Sequence, residues 1–229
     1  MTKEELLTQI HFNNEDERKK AEFYLEMKGI AFHKNILDYL YTNCGKTIPV
    51  EWSDLSNELR ADKALRDVLY KYLATLEEYI RAYISNKYEN DAIQHVFWVD
   101  DSRYDYNKIK TQLVNGKPLF KTLEDVDFGT LIKQVKRLPA LDRNQLFGDV
   151  GTDDNLDAVK DLRNAVSHHK FLRLYSLKTC NVDGNESDSL FSNIRNLRQL
   201  LPMQYRFGEN GMGGLTQELK LLKIKITNE

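Results

Sequence analysis

The chain has 229 residues, of which 41% are hydrophobic and 30% are charged, and its formal net charge is −2. This length suits one large domain, and the balance of apolar and charged residues excludes a disordered chain. The nearly neutral charge also excludes a global positive field for nucleic acid, so any RNA binding must depend on a local basic patch.

Two further features concern where the protein is expected to work. No apolar run approaches the length of a membrane span, and residues 1–5 lead into a mixed-charge segment without the apolar core of a signal peptide. Cys44 and Cys180 are the only cysteines, and they form no Cys-x-x-Cys pair that would indicate zinc or thioredoxin-like chemistry. We therefore expect a cytoplasmic protein with no membrane contact, no metal ion and no cofactor.

The first part of the chain is predicted to be helical. Asn13 or Asn14 can cap a helix over residues 15–28, which Gly29 ends, and a second helix is predicted over residues 32–41. Because these helices precede the longest periodic segment, we expect them to form an N-terminal extension.

The longest periodic segment spans residues 52–88, where apolar residues recur at steps of three and four. The pattern weakens near residues 61–62, so the segment is either one helix or two. Residues 89–125 are less regular and include an apolar patch over residues 94–99. The turn signal at Asn115–Gly116 predicts either a small hairpin or an excursion between helices.

The remaining helices are predicted over residues 129–138, 156–177, 189–200 and 215–224. A polar loop over residues 181–188 and a glycine-rich link over residues 208–214 separate the last of them. Strands and helices do not alternate, which predicts an all-α helical bundle, with or without a small hairpin insertion. We expect one domain, in which residues 1–50 are a helical extension, residues 51–180 the core and residues 181–229 the C-terminal helices.

The residues best suited to chemistry lie near the end of the helix predicted over residues 156–177. Leu162 and Val166 follow the spacing of its core face. Asn164 and His168 are four residues apart, so they share another face that points away from that core. This face therefore presents polar groups that are free for function.

These groups suit reactions of phosphodiesters. An imidazole such as that of His168 can take a proton from a ribose 2′-hydroxyl or give one to the leaving oxygen. The guanidinium of Arg163 can bind a phosphate through two donors, and Asn164 can orient either group. On spacing alone the pattern also arises by chance, with His168 a solvated helix residue and Arg163 paired with a neighbouring carboxylate.

Three segments carry a resemblance to one protein family. Arg163, Asn164 and His168 resemble the HEPN signature, in which a polar residue follows Arg and a His comes after a gap of four to six residues. The longer string over residues 162–169, Leu-Arg-Asn-Ala-Val-Ser-His-His, resembles the Arg-Asn-x-x-x-His-His motif of the Abi-like, abortive-infection branch. Residues 128–131, Phe-Gly-Thr-Leu, resemble an element that precedes the motif in those proteins, and residues 69–88, with Glu77 and Arg81, resemble their central helix.

The resemblance, which spans about residues 55–178, implies a HEPN-type helical bundle that pairs as a homodimer and cuts RNA without a metal ion at a cleft shared by both copies. It implies that Arg163 and His168 are catalytic and that Asn164 supports them. His169 is adjacent but falls outside the core pattern, so it ranks below them as a candidate supporting residue. In toxins of this family that a nucleotidyltransferase antitoxin silences, a Tyr usually lies two residues after the His. Lys170 stands there in this chain, so that mode of control is not expected.

The sequence therefore predicts a metal-independent endoribonuclease, a hydrolase acting in antiphage abortive infection or toxin-type antiviral defence, with an antitoxin or a regulatory RNA or protein as a further partner. The alternative is a non-catalytic module that binds RNA or protein, while a metabolic enzyme has no supporting cofactor motif. Basic residues near the motif could form the local RNA-binding patch, or simply a solvated face. They are Lys133, Lys136, Arg137, Lys170 and Arg173.

Overall fold

The structure is a computed structural model that describes residues 1–90, 104–207 and 214–222. With 71% of the chain helical and only short strands, the predicted all-α helical bundle is confirmed. The apolar patch predicted over residues 94–99, and the glycine-rich link except for Gly214, lie outside the described residues. Within the described part of the chain, no helix has both the length and the apolar composition of a membrane span.

The chain folds into two compact units. The N-terminal unit comprises Met1–Leu65 and Phe171–Leu174, and the main unit comprises Arg66–Lys170 and Tyr175–Glu229. The N-terminal unit is thus larger than the extension predicted over residues 1–50, because it also includes residues 51–65 and the segment Phe171–Leu174, which follows the motif.

The N-terminal unit consists of short elements and the first part of a long helix. Asn14 caps the second helix by accepting a hydrogen bond from the backbone N–H of Glu17, and Gly29 ends that helix with a φ of 86°, as the sequence predicts. The two strands pair in parallel, with Ile10 opposite Val50. The elements are α1 (Lys3–Leu7), β1 (Ile10–His11), α2 (Glu15–Lys28), α3 (Ile30–Asn43), β2 (Val50–Glu51) and the start of α4 (Trp52–Tyr88).

A hydrophobic core holds the N-terminal unit together and includes Phe171. The ring of Phe171 contacts that of Tyr39 edge-on, with their centroids 5.9 Å apart. Asp62, which is 2% exposed, accepts a hydrogen bond from the backbone N–H of Leu172 at 2.8 Å. These contacts explain why residues far apart in sequence belong to one unit.

A buried histidine lies in this core. His33 is 1% exposed, and its Nδ1 donates a hydrogen bond to the carbonyl oxygen of Gly29 at 3.0 Å. Its Nε2 is buried without a hydrogen-bond partner among the described residues. Burial lowers the pKa of His33 from its ordinary value of 6.5, and the positive charge of Lys28 lowers it further.

This arrangement predicts that acid destabilises the N-terminal unit. The unfolded chain takes up the proton on His33 at a higher pH than the folded chain, so stability falls as the pH decreases below about 6.5. We expect His33→Leu to reduce the loss of melting temperature between about pH 7.5 and about pH 5. His11→Gln changes an exposed histidine that pairs with Glu51 at the surface, and its loss should be at least as large as that of the wild type. An equal loss in His33→Leu would contradict the prediction.

The main unit contains the rest of α4 and all later elements. The long helix α4 is unbroken, so the weakening of the pattern near residues 61–62 does not divide it. The later helices are α5 (Tyr104–Val114), α6 (Leu119–Glu124), α7 (Phe128–Arg137), α8 (Ala140–Phe147), a 3-10 turn (Gly148–Val150), α9 (Asp153–Ser167), α10 (Leu190–Leu200), α11 (Met203–Phe207) and α12 (Leu215–Leu221). The strands β3 (Cys180–Val182) and β4 (Asn185–Ser187) precede α10.

A small hairpin is present, but at a different place from the turn signal. β3 and β4 pair antiparallel, with Val182 opposite Asn185, in the segment predicted to be a polar loop. Asn115–Gly116 instead connects α5 to α6, and Gly116 adopts a φ of 80° there. A glycine in the left-handed conformation can either end a helix or join two strands. The Asn-Gly pair alone therefore did not distinguish a helix end from a hairpin.

The helix α9 is central to the main unit, since it packs against α7, α10 and β3. Its core face is formed by Leu156, Val159 and Leu162, which are fully buried. Asn155 is also buried, and it is satisfied by hydrogen bonds from its amide group to the carbonyl oxygens of Val150 and Asn181, each 3.0 Å long. These contacts fix the rotation of α9 and therefore the direction of its outer face.

Candidate functional site

The helix that carries the motif has a defined start. Thr152 caps α9 by accepting a hydrogen bond from the backbone N–H of Asn155 at 3.3 Å. The helix therefore begins at Asp153 and includes the whole segment from Arg163 to Ser167.

The end of α9 differs from the prediction, because the helix stops at Ser167 and not near residue 177. Two backbone hydrogen bonds close its C-terminus. The N–H of His169 donates to the carbonyl of Val166 at 3.2 Å, and the N–H of Lys170 donates to the carbonyl of Ala165 at 3.0 Å. This pair of bonds is a Schellman motif. His168 is the C-cap, and His169 takes the left-handed position with a φ of 53°.

Arg163 is held by groups from two other helices. Its guanidinium lies 4.0 Å from a carboxylate oxygen of Glu77 in α4 and 5.9 Å from the ring centre of Phe128 in α7. Phe128 is buried at the first residue of α7. The segment 128–131 thus contributes an aromatic surface for the motif arginine.

Glu77 links this arginine to a second one. Its other carboxylate oxygen accepts a hydrogen bond from Arg81 at 2.5 Å, one turn along α4. Arg81 also donates to the carbonyl oxygens of Leu123 and Val126, at 3.0 and 2.8 Å. Arg81 is therefore anchored independently, whereas Arg163, one third exposed, keeps part of its guanidinium accessible.

Asn164 and His168 stack on the outer face of α9, as their spacing predicts. The backbone N–H of His168 donates to the carbonyl of Asn164 at 2.9 Å, so the two residues are one helical turn apart. His168 is exposed and Asn164 is partly buried. Among the described residues, no hydrogen bond joins the side chains of Arg163, Asn164 and His168 to one another, so the motif presents separate groups.

His169 makes a contact that the sequence did not predict. Its Nδ1 lies 2.9 Å from a guanidinium nitrogen of Arg66 in α4. Because a guanidinium only donates, Nδ1 accepts this hydrogen bond and the ring proton is on Nε2. Arg66 and His169 are far apart in sequence, and no local pattern links them.

The predicted basic residues of α7 lie beside α9. Lys136 forms an ion pair with Asp157 at 2.8 Å, and Lys160 and Lys178 approach the same carboxylate at 2.9 and 3.7 Å. Burial alone would raise the pKa of Asp157, but Lys136 and Lys160 outweigh it and hold this pKa at about 2. Three ammonium groups around one carboxylate leave a positive cluster, in which Lys160 was missed from the sequence.

The other predicted RNA-binding residues have separate surroundings. Lys133 is partly buried on α7, and Arg137 and Lys170 are exposed. Arg173 belongs to the N-terminal unit, where it donates to the hydroxyl of Tyr39 at 2.9 Å and pairs with Glu58 at 3.5 Å. Arg173 is therefore engaged within that unit, which weakens its assignment to an RNA contact.

Comparison with family models, with curated proteins and with solved structures found no match. In the described ranges, no group of three or more His, Cys, Asp and Glu side chains is arranged to hold a metal ion.

The position of Glu77 predicts that Glu77 and the adjacent Glu78 contribute differently to the free energy of unfolding. Glu77→Ala leaves Arg81 and Arg163 without their shared partner, so we expect it to lower the free energy of unfolding by about 1–3 kcal/mol. Glu78→Ala changes the exposed neighbour and should alter it by less than about 0.5 kcal/mol. Chemical denaturation measures both, and equal effects would show that the shared ion pair adds little.

Proposed function

We propose that this protein is a metal-independent endoribonuclease of the cytoplasm that acts in antiphage or toxin-type defence, as its resemblance to HEPN proteins suggests. The observation that carries the proposal is the exposed imidazole of His168 at the end of α9. Asn164 lies one turn before it on the same face, and the partly exposed guanidinium of Arg163 lies beside Asn164 in the sequence. These groups suit metal-independent cleavage of a phosphodiester, which needs a proton acceptor and a group that stabilises negative charge.

In the proposed reaction, His168 takes the proton from a ribose 2′-hydroxyl. The 2′-oxygen then forms a bond to phosphorus while the bond from phosphorus to the 5′-oxygen breaks. The products are a 2′,3′-cyclic phosphate and a 5′-hydroxyl. Arg163 binds the phosphate and stabilises the negative charge that develops on it.

The leaving 5′-oxygen needs a proton from a second acid. We propose that His168 of a second copy of the chain supplies it, so that the active form is a homodimer with a composite site. In a two-fold dimer the outer face of α9 would meet its own copy, which brings together two imidazoles and two guanidinium groups. Asn164 would orient the imidazole or the phosphate within this site.

The ion pair of Arg163 with Glu77 favours the alternative function, a non-catalytic module that binds RNA or protein. A guanidinium that already has a carboxylate partner binds phosphate less strongly, which suits a module that binds RNA or protein without cutting it. An antitoxin or a regulatory RNA or protein would then be the partner that gives this module its role. The two functions predict different results. For a nuclease, loss of His168 removes RNA cleavage while RNA binding persists, whereas a binding module has no cleavage to lose.

The first test is cleavage of total RNA by the purified protein in the presence of EDTA. We expect the wild type to cut and His168→Ala and Arg163→Ala to be slower by about 10²–10⁴-fold, because each removes a group that acts on the reacting phosphate. His11→Ala, which changes an exposed histidine of the N-terminal unit, should cut like the wild type.

The products distinguish the mechanism, since fragments should carry 2′,3′-cyclic phosphate and 5′-hydroxyl ends. If the wild type does not cut, or if His168→Ala cuts equally well while folded, the nuclease proposal fails. Retained RNA binding by a protein that does not cut would then support the non-catalytic module.

A second test concerns the basic patch. In an inactive His168→Ala background, we expect Lys170→Ala and Lys178→Ala to weaken binding of single-stranded RNA. Each should also reduce the slope of log K against log salt by about 0.7 for every phosphate that the protein no longer neutralises. Lys20→Ala, an exposed lysine of α2, is the matched control. Unchanged slopes in both variants would place the RNA elsewhere.

A further inference from the structure

The backbone of His169 is unusual because it adopts a φ of 53° at the end of α9. This left-handed position at the end of a helix usually holds glycine, since a Cβ is unfavourable there. The bonds that close the helix are made by backbone groups of His169 and Lys170, so they require no imidazole. His169 is also exposed, so core packing does not explain its side chain either.

The side chain is nevertheless held in one arrangement. Arg66 donates to Nδ1 at 2.9 Å, and the proton of the ring is therefore on Nε2. Arg66 is partly buried in α4 within the same compact unit, whereas the ring of His169 is exposed. Strained backbone combined with a fixed, exposed polar side chain is typical of functional positions.

We propose that His169 is a second catalytic residue of the RNA site, which donates the hydrogen of its Nε2 to a non-bridging oxygen of the scissile phosphate. Arg66 is its positioning residue. This inference rests on the proposed function and adds a division of labour to it. His168 transfers protons, and His169 stabilises the charge that develops on the phosphate.

The hydrogen-bond pattern determines which role each histidine can take. A ring whose Nδ1 accepts from Arg66 has one proton, and losing it would leave an imidazolate. His169 therefore donates a hydrogen bond without giving up the proton, and the proton for the leaving oxygen must come from another group. A neutral imidazole used in this way is a known means of stabilising an oxyanion.

The adjacent position of the two histidines supports a shared substrate. His168 and His169 are consecutive and both exposed, and the exposed Lys170 follows them. A phosphate bound at the end of α9 would thus meet an acid–base group, a fixed donor and a cation within three residues. The guanidinium of Arg66 adds a further positive charge next to the fixed donor.

The test compares two substitutions that the backbone tolerates. His169→Gly relieves the strained conformation and removes the donor, so the variant should melt at or above the temperature of the wild type and yet cut RNA about 10²-fold more slowly. His169→Asn accepts the left-handed conformation and keeps an N–H donor, so it should cut faster than His169→Gly. A purely structural role would not lower cleavage in a variant that is equally stable.

A control is available in the hairpin, because Asp183 is the other described non-glycine residue with a positive φ, at 54°. Asp183→Gly should leave cleavage unchanged. If His169→Gly cuts like the wild type, the role of His169 is overturned while the proposed nuclease stands.

A measurement that does not depend on cleavage distinguishes failure of the role of His169 from failure of the proposed nuclease. We would follow the ring nitrogens of His169 by NMR during titration with a 2′-O-methyl oligoribonucleotide, which cannot be cut by this reaction. A shift of the wild-type Nε2–H signal on binding, together with weaker binding by His169→Gly, supports the phosphate contact even if the wild type does not cut. If the oligoribonucleotide does not shift this signal and His169→Gly binds it as tightly as the wild type, the inference is wrong.

Discussion

The left-handed turn at His169 decides where α9 ends, and the surroundings of the motif depend on this. Continued helix would place Phe171 and Leu172 on the surface of α9. Instead, Phe171 is buried in the core of the N-terminal unit and the backbone of Leu172 donates to the buried Asp62. Burial of one aromatic and one aliphatic side chain is worth several times the cost of one residue in the left-handed region. The turn therefore persists without glycine, and it leaves two imidazoles exposed at the end of the helix.

Carboxylates around the site determine how accessible each cation is. Glu77 shares its two oxygens between Arg81 and Arg163, and the three lysines near Asp157 have one carboxylate among them. In both groups the positive charges outnumber the negative ones. A chain with a net charge of −2 can thus keep a local excess of positive charge at these two groups, although α9 itself also carries Asp153, Asp154 and Asp161.

Much of the fold could be predicted from local patterns, because its helices have strong periodicity and ordinary caps. The bounds of α2, with Asn14 before it and Gly29 after it, follow from capping preferences alone. The end of α9 could not be predicted in this way, since no glycine or proline marks it and tertiary burial of Phe171 imposes the turn. The face shared by Asn164 and His168 follows from helical spacing, whereas Glu77 and Arg66 reach the motif through the packing of α4, which spacing does not encode.

The ion pair of Arg163 also limits what a single chain offers to a phosphate. Within a single chain the guanidinium has a carboxylate 4.0 Å away, and the side chain of Arg163 is one third exposed. Bound RNA would have to compete with Glu77, unless the environment weakens that pair. Glu77 is kept in place by Arg81, which remains anchored to two carbonyl oxygens, so the carboxylate cannot follow Arg163 toward a ligand. A partner copy would bring a second guanidinium together with its own Glu77, so pairing would double the number of exposed guanidinium groups without changing their balance with carboxylates. The need for a second acid therefore remains the chemical reason for the composite site that we propose.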